Sequence, residues 1–217
     1  MMTDGYSSKI SEIEIANLLS LNPDTDPESR ASSSNVQAPK PAAVLVPLIY
    51  DPPNAKNPGW QILYTRRTDS VQDHKGQVSF PGGRADPGDN YPTGTALREA
   101  YEEIGLRPSD VRILGQMPPF LTITNYLVTP VIGVIPWPYN LTIQPNEVSR
   151  VFTIPMDWMA KAENYEIKQR KFPPSAQIPP QFQNIQVIYY RQYDGELLWG
   201  ITAEVTLRFL RLLKLAI

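Results

Sequence analysis

Hydrophobic positions fall into helical and strand-like patterns that alternate along the chain. Ile10, Ile13, Ile15, Leu18 and Leu19 recur at roughly helical spacing and predict a short helix over residues 9–21. A second helix is predicted from about Pro92 to Ile104. Stepping about 100° per residue from Ala96, the residues Ala96, Leu97, Ala100, Tyr101 and Ile104 share one arc of roughly 140°. Glu99, Glu102 and Glu103 occupy a separate arc of roughly 240° to 340°. Pro92 suits an early helical position, and Gly105 stops the helix as a left-handed cap. Residues 155–162 read as a short helix begun by proline, and residues 202–215 as an amphipathic closing helix. Strands are predicted at 43–50, at 60–65 as its hairpin partner, and at 77–80, 111–116, 127–135 and 149–154. The Asp194-Gly195 turn predicts a hairpin of 187–193 with 196–199. Residues 70–75 and 85–91 read as loops, and the proline-rich stretch 168–183 as an irregular excursion. There are no internal repeats. The elements describe an α+β fold, a mixed sheet between helices. Residues 1–40 form an extension, a short helix plus a linker rich in Ser, Asp, Asn and Pro, and residues 41–217 form the domain.

Composition narrows the class. A chain of 217 residues that is 41% hydrophobic supports one well-formed core and is short for two full domains. The net charge of −2 gives no electrostatic case for nucleic acid or an anionic membrane. Cysteine is absent, which excludes disulfides, zinc-thiolate sites and thiol nucleophiles. No apolar run approaches the roughly 20 residues needed to span a bilayer. Met1-Met2-Thr3-Asp4-Gly5 lacks a signal-peptide pattern, and Leu215-Ala216-Ile217 is not a Ser-Lys-Leu address, so cytoplasm is the expected location.

The charged arc of the second helix carries the chemistry. Like charges at i,i+4 repel by a few tenths of a kcal/mol, and a hard divalent cation with oxygen ligands is the natural compensation. A merely solvated acidic face is the alternative. The preceding Phe80-Pro81-Gly82-Gly83 changes the weighting, because a glycine pair lets backbone approach a ligand closely.

Arg98-Glu99-Ala100-Tyr101-Glu102-Glu103-Ile104-Gly105-Leu106 resembles the second half of the Nudix box, G-x5-E-x7-R-E-U-x-E-E-x-G-U with U apolar. The first half departs: the sixth residue after Gly83 is Asp89, and eight residues separate it from Arg98. A longer, Asp-bearing first half is similar to the coenzyme A pyrophosphatase branch. An upstream pattern of that branch also matches in spacing: Leu63-Tyr64-Thr65-Arg66-Arg67-Thr68, then Gln72, Gly76 and Phe80-Pro81-Gly82-Gly83. Tyr64, Thr68 and Gln72 deviate, and Gln72 replaces an arginine that is a candidate contact for an anionic substrate. Residues 42–48, 146–148, 154–156 and 199–203 resemble further blocks, so the likeness runs from about Pro41 to the C-terminus.

The resemblance implies the Nudix α/β/α sandwich and hydrolysis of a nucleoside diphosphate derivative with Mg²⁺ or Mn²⁺. Coenzyme A or an acyl-CoA, cut to 3′,5′-ADP and 4′-phosphopantetheine, leads. ADP-ribose or NADH is the alternative, and a non-catalytic nucleotide sensor is a third reading. By resemblance Glu99 and Glu103 hold metal, with Glu102 and the Gly83 carbonyl as further ligands, and Arg98 pins the carboxylates. Glu102 could also orient water, and Glu147 is a candidate base. Arg67, Arg84 and Gln72 form the substrate-binding set. Arg66, on the opposite strand face from Arg67, reads as solvated. His74 is the only histidine, and a loop hydrogen bond explains it as well as a substrate contact. Tyr91, Phe120, Tyr126 and Trp137 are candidates to stack an adenine. The expected partner is a small CoA-like nucleotide, neither nucleic acid nor membrane, and a homodimer is compatible with the reading.

Overall fold

The computed structural model describes residues 10–21, 38–52, 55–56, 58–68, 76–173 and 182–217. The expected linker lies mostly, and the 70–75 loop wholly, outside them. In chain order the elements are α1 (Glu12–Ser20), β1 (Lys40–Asp51), β2 (Gly59–Arg67), β3 (Val78–Ser79), β4 (Gly82–Arg84) and α2 (Thr93–Ile104). There follow β5 (Arg112–Gln116), β6 (Phe120–Leu121), β7 (Tyr126–Val134), β8 (Val148–Pro155), α3 (Met156–Met159), β9 (Tyr165–Lys171), β10 (Asn184–Tyr190) and α4 (Gly200–Leu212).

Side chains of β1 alternate between two cores, which makes the sheet the middle layer. Ala43, Leu45 and Ile49 pack with Ala96, Ala100 and Ile104 of α2. Val46 and Leu48 pack with Val205 and Phe209 of α4 and with Ile15 and Leu19 of α1. The expected mixed sheet between helices is therefore present. Its centre is the parallel pair β1–β7, from Lys40–Tyr126 to Leu48–Val134.

The sheet is forked, and the fork builds the site. β1 and β2 pair from Asp51–Gly59 to Leu48–Ile62 and then separate. β4 takes over the freed length of β1, Gly83 against Ala43, and β3 takes over that of β2, Ser79 against Thr65. β8 lines the other edge of β2.

Three expectations are corrected. The stretch from residue 168 is not wholly irregular: β9 pairs along its length with β10. Its Lys168, Arg170 and Lys171 are exposed, so backbone pairing forms it without an apolar face to announce it. The Asp194-Gly195 turn closes only isolated antiparallel bridges, Tyr193–Glu196 and Tyr189–Trp199, with the Tyr190 N–H donating to the Leu198 carbonyl at 2.9 Å; the two bridges are out of register with each other, so no continuous ladder forms. On α2, Tyr101 is 55% exposed rather than buried. The wall of the sheet covers Ala96, Ala100 and Ile104, and Tyr101 stands at the margin of their arc.

Candidate active site

The angle that puts Glu103 beside Ala96 on the helix also carries it under the sheet. Glu103 is 3% exposed. Burial pushes its carboxyl up to about 8; Arg67 opposes the shift, while Glu99 and Glu147 add to it. The Gly82 N–H donates a hydrogen bond to Glu103, and the Arg67 guanidinium lies 3.9 Å from it. The Arg67 Nε is buried without a hydrogen-bond partner.

Glu99 stands one turn earlier. Its carboxyl is likewise raised, first by burial, with Glu102 and Glu147 adding repulsion against the pull of Arg98. A Cβ on Gly83 would sit 2.4 Å from Glu99 Oε1. On Gly82, which has φ +158°, it would sit 2.5 Å from the Ala43 carbonyl oxygen. The two glycines thus serve different neighbours: Gly82 lets the loop lie on β1, and Gly83 lets it touch a carboxylate.

Arg98 stands among the carboxylates. Its guanidinium lies 3.1 Å from Glu99 and 3.0 Å from Glu102, and Nη2 donates to the Arg84 carbonyl at 3.0 Å. Sequence reasoning assigned Asp89 no role, yet Asp89 is the anchor of Arg98. Its carboxylate accepts from Arg98 Nε and Nη2 at 3.1 Å, from the Thr95 hydroxyl at 2.9 Å and from the Asp86 N–H at 3.0 Å. The Arg98 bond holds Asp89 well below the usual carboxylate range. An acid nine residues before the arginine was the available signal.

Arg67 and Glu147 reach the site through one irregularity. Arg66 pairs with Arg150 but Arg67 pairs with Val148, so Ser149 bulges out of β8. Its hydroxyl donates to the carbonyls of Arg66 and Arg67 at 3.1 and 3.3 Å. Beyond the bulge, the Thr68 N–H donates to the Glu147 carbonyl at 3.0 Å. Bulges next to active sites re-aim side chains, and here Arg67 and Glu147 are both turned toward α2. Arg66 is not simply solvated. It lies 3.6 Å from buried Glu196, which also accepts from Arg150 at 2.9 Å.

A cleft of about 510 Å³ opens beside the glycine pair, lined by Arg67, Arg84, Gly83, Thr122, Thr124, Tyr126 and an apolar floor that includes Val128. The exposed Arg84 carries no ion pair among the described residues. Of the aromatic candidates, only Tyr126 lines this cleft. Phe120 is buried, and the Tyr91 hydroxyl is held 2.7 Å from Thr129. Gln72 and His74 lie outside the described residues.

Among the described residues, no three acidic side chains already converge as a closed metal cage. The donor set nevertheless suits a hard divalent cation. Mg²⁺ keeps several waters and binds through one or two carboxylates, and Glu99 and Glu103 are hard oxygen donors crowded by other acids. Glu102, 54% exposed at its side chain, adds its charge to the field at Glu99, and Glu147 adds its charge at both Glu99 and Glu103. No helix among the described residues is long and apolar enough to cross a membrane.

The chain is similar to several known proteins. A Photorhabdus laumondii protein named "Uncharacterized Nudix hydrolase NudL" is 35% identical over 179 residues, covering 82% of this chain and 86% of its own. A Yersinia pestis protein of the same name is 36% identical over 164 residues, covering 76% and 75%. The crystal structure of a MutT/nudix family protein from Enterococcus faecalis superposes with a TM-score of 0.49 at 13% identity, over 90% of this chain and 71% of that one. Residues 39–178 match the NUDIX domain; this chain belongs to the Nudix family.

Proposed function

We propose that the protein is a divalent-metal-dependent pyrophosphatase whose substrate is coenzyme A or an acyl-CoA, released as 3′,5′-ADP and (acyl-)4′-phosphopantetheine. The observation that carries the chemistry is Glu103. A carboxyl so buried, with Glu99 and Glu147 raising it further, is a place that favours added positive charge. Glu99 and Glu103, with Glu102 and the Gly83 carbonyl, would hold Mg²⁺ or Mn²⁺. When bound, the metal clamps phosphate oxygens and acidifies water.

The chain's own groups account for the rest. Arg67 and Arg84 bind the diphosphate oxygens and offset their charge, since phosphoryl transfer depends on positioning and electrostatic stabilisation. Arg98 keeps Glu99 and Glu102 aimed while Asp89 keeps Arg98 aimed. Glu147 accepts the proton of the attacking water as a carboxylate base. The CoA assignment rests on the spacing of the 63–83 segment. ADP-ribose and NADH remain the alternative because Gln72 supplies no charge. Intact box carboxylates disfavour a sensor.

The test is product analysis by chromatography with Mn²⁺ and, separately, CoA, ADP-ribose and NADH. Appearance of 3′,5′-ADP from CoA, with much slower cleavage of the others, supports the assignment. Intact CoA alongside cleaved ADP-ribose or NADH would leave the acid site standing and overturn the substrate. Glu103→Gln should abolish turnover in a folded protein, whereas a sensor would keep its ligand affinity.

A further inference from the structure

A second cleft, of about 1120 Å³, borders the same acidic row and shares no lining residue with the first. Its walls are the α2 flank bearing Tyr101 and Glu102 and the loop from Pro138 to Glu147. Glu99 and Glu103 are thus flanked by Gly83 and Arg67 of one cleft and by Glu102 and Glu147 of the other. A phosphoanhydride joining two bulky halves presents the same layout, with its reacting bond in the middle.

The loop is fastened to the end of α2, so the cleft is formed before any ligand enters. The Thr142 N–H donates to the Ile104 carbonyl at 3.0 Å and the Gln144 N–H to the Glu103 carbonyl at 2.8 Å. Gly105 permits this approach, because a Cβ there would lie 3.0 Å from the Thr142 Cβ.

The two clefts differ in charge. The first contains Arg67 and Arg84. The second contains Glu102 and Glu147, and its one cation, Arg107, is paired with Asp110 at 2.8 Å. A group rich in phosphate is repelled from it. Tyr101, 55% exposed, and Ile143, 38% exposed, offer apolar contact, and Asn140 and Gln144 contribute amides to the lining. An uncharged arm with hydrogen-bonding groups suits these walls.

We infer that the second cleft receives the uncharged, non-nucleotide half of the substrate, while the phosphate-rich nucleotide half lies along Arg67 and Arg84. On the CoA reading, on which this rests, the occupant is the pantetheine arm. The test is product inhibition of the Mn²⁺-loaded wild type, Tyr101→Ala and Ile143→Ser by 4′-phosphopantetheine and by 3′,5′-ADP. Both substituted side chains are exposed, and melting temperatures check that the variants fold. Each variant should weaken 4′-phosphopantetheine about tenfold, the scale of one lost aromatic or apolar contact, and leave 3′,5′-ADP unchanged. No shift, or an equal shift for both products, overturns the inference. If the wild type leaves CoA intact but cuts ADP-ribose, the CoA reading fails by itself. Ribose 5-phosphate and AMP then replace the two products, and the same selective shift, or its absence, decides the cleft.

Discussion

Replacing Glu103 by Gln should stabilise the protein once divalent cations are removed, although on the proposed function it abolishes turnover. Glu103 has an ordinary carboxyl pKa of 4.5 and is pushed up to about 8 in the fold. Below pH 4.5 both folded and unfolded chains hold the proton, and nothing is lost. As pH rises toward 8 the unfolded chain releases the proton while the fold retains it, so stability falls throughout that window. At ~1.4 kcal/mol per pH unit, the loss reaches at most ~5 kcal/mol. Gln keeps the shape and carries no charge to bury. For a chain of this size each kcal/mol moves Tm by about 2–4 °C, so a difference of at most about 10–20 °C is the expected scale. The assay is thermal melting in EDTA from pH 5 to 8.5, a range above the titration of Asp89, which Arg98 holds low. Wild type should fall steadily, Glu103→Gln, in which the raised Glu99 remains, should fall much less, and the two should converge near pH 5. Mg²⁺ at pH 8.5 should restore the wild type and leave the variant unmoved. A wild-type curve that is flat in EDTA, or a variant that melts below wild type at pH 8.5, would refute the argument.

Two further substitutions probe the parts around that carboxylate. Gly82→Ala meets backbone, the Ala43 carbonyl and the Val44 Cα at 2.5 and 2.6 Å, whereas the three atoms nearest a Cβ on Gly83 all belong to the Glu99 carboxylate. Gly82→Ala should lower Tm by several degrees, and Gly83→Ala should leave Tm nearly unchanged but weaken Mn²⁺ binding by about tenfold, read by titration calorimetry; equal effects on both measures would contradict the geometry. Asp89→Asn removes the charge and one of the two acceptor oxygens that face Arg98 and should destabilise by about 2 kcal/mol, the range of a charged hydrogen bond, with a fall in kcat larger than any rise in KM. An unchanged kcat would show that Arg98 holds its aim without Asp89.

Local order made much of this protein readable from its sequence. α2 follows from a 3.6-residue period, its end from Gly105, and the shared arc of Glu99, Glu102 and Glu103 from their angles alone, because a helix fixes the relation of residues three and four apart. The glycine pair, too, announced a close approach. Which glycine touched what did not follow, since Gly82 answers to β1 and Gly83 to α2, elements distant in the chain. The same limit hid the anchor of Arg98 in Asp89, the ion pair of Arg66 with Glu196, and the pairing of β9 with β10.

What the sequence by itself determined is the chemistry available: a row of carboxylates on one helix, a flexible turn before it, and two neighbouring arginines on a strand. What only the tertiary structure decided is how each group behaves. Glu103 is buried and raised while Glu102 stays exposed. Ser149 bulges to bring Arg67 and Glu147 to the row, and Tyr101 is left at the mouth of a cleft. Backbone periodicity sets directions within one element. Burial, electric field and strand register are set by what other elements place opposite, and no local pattern contains them.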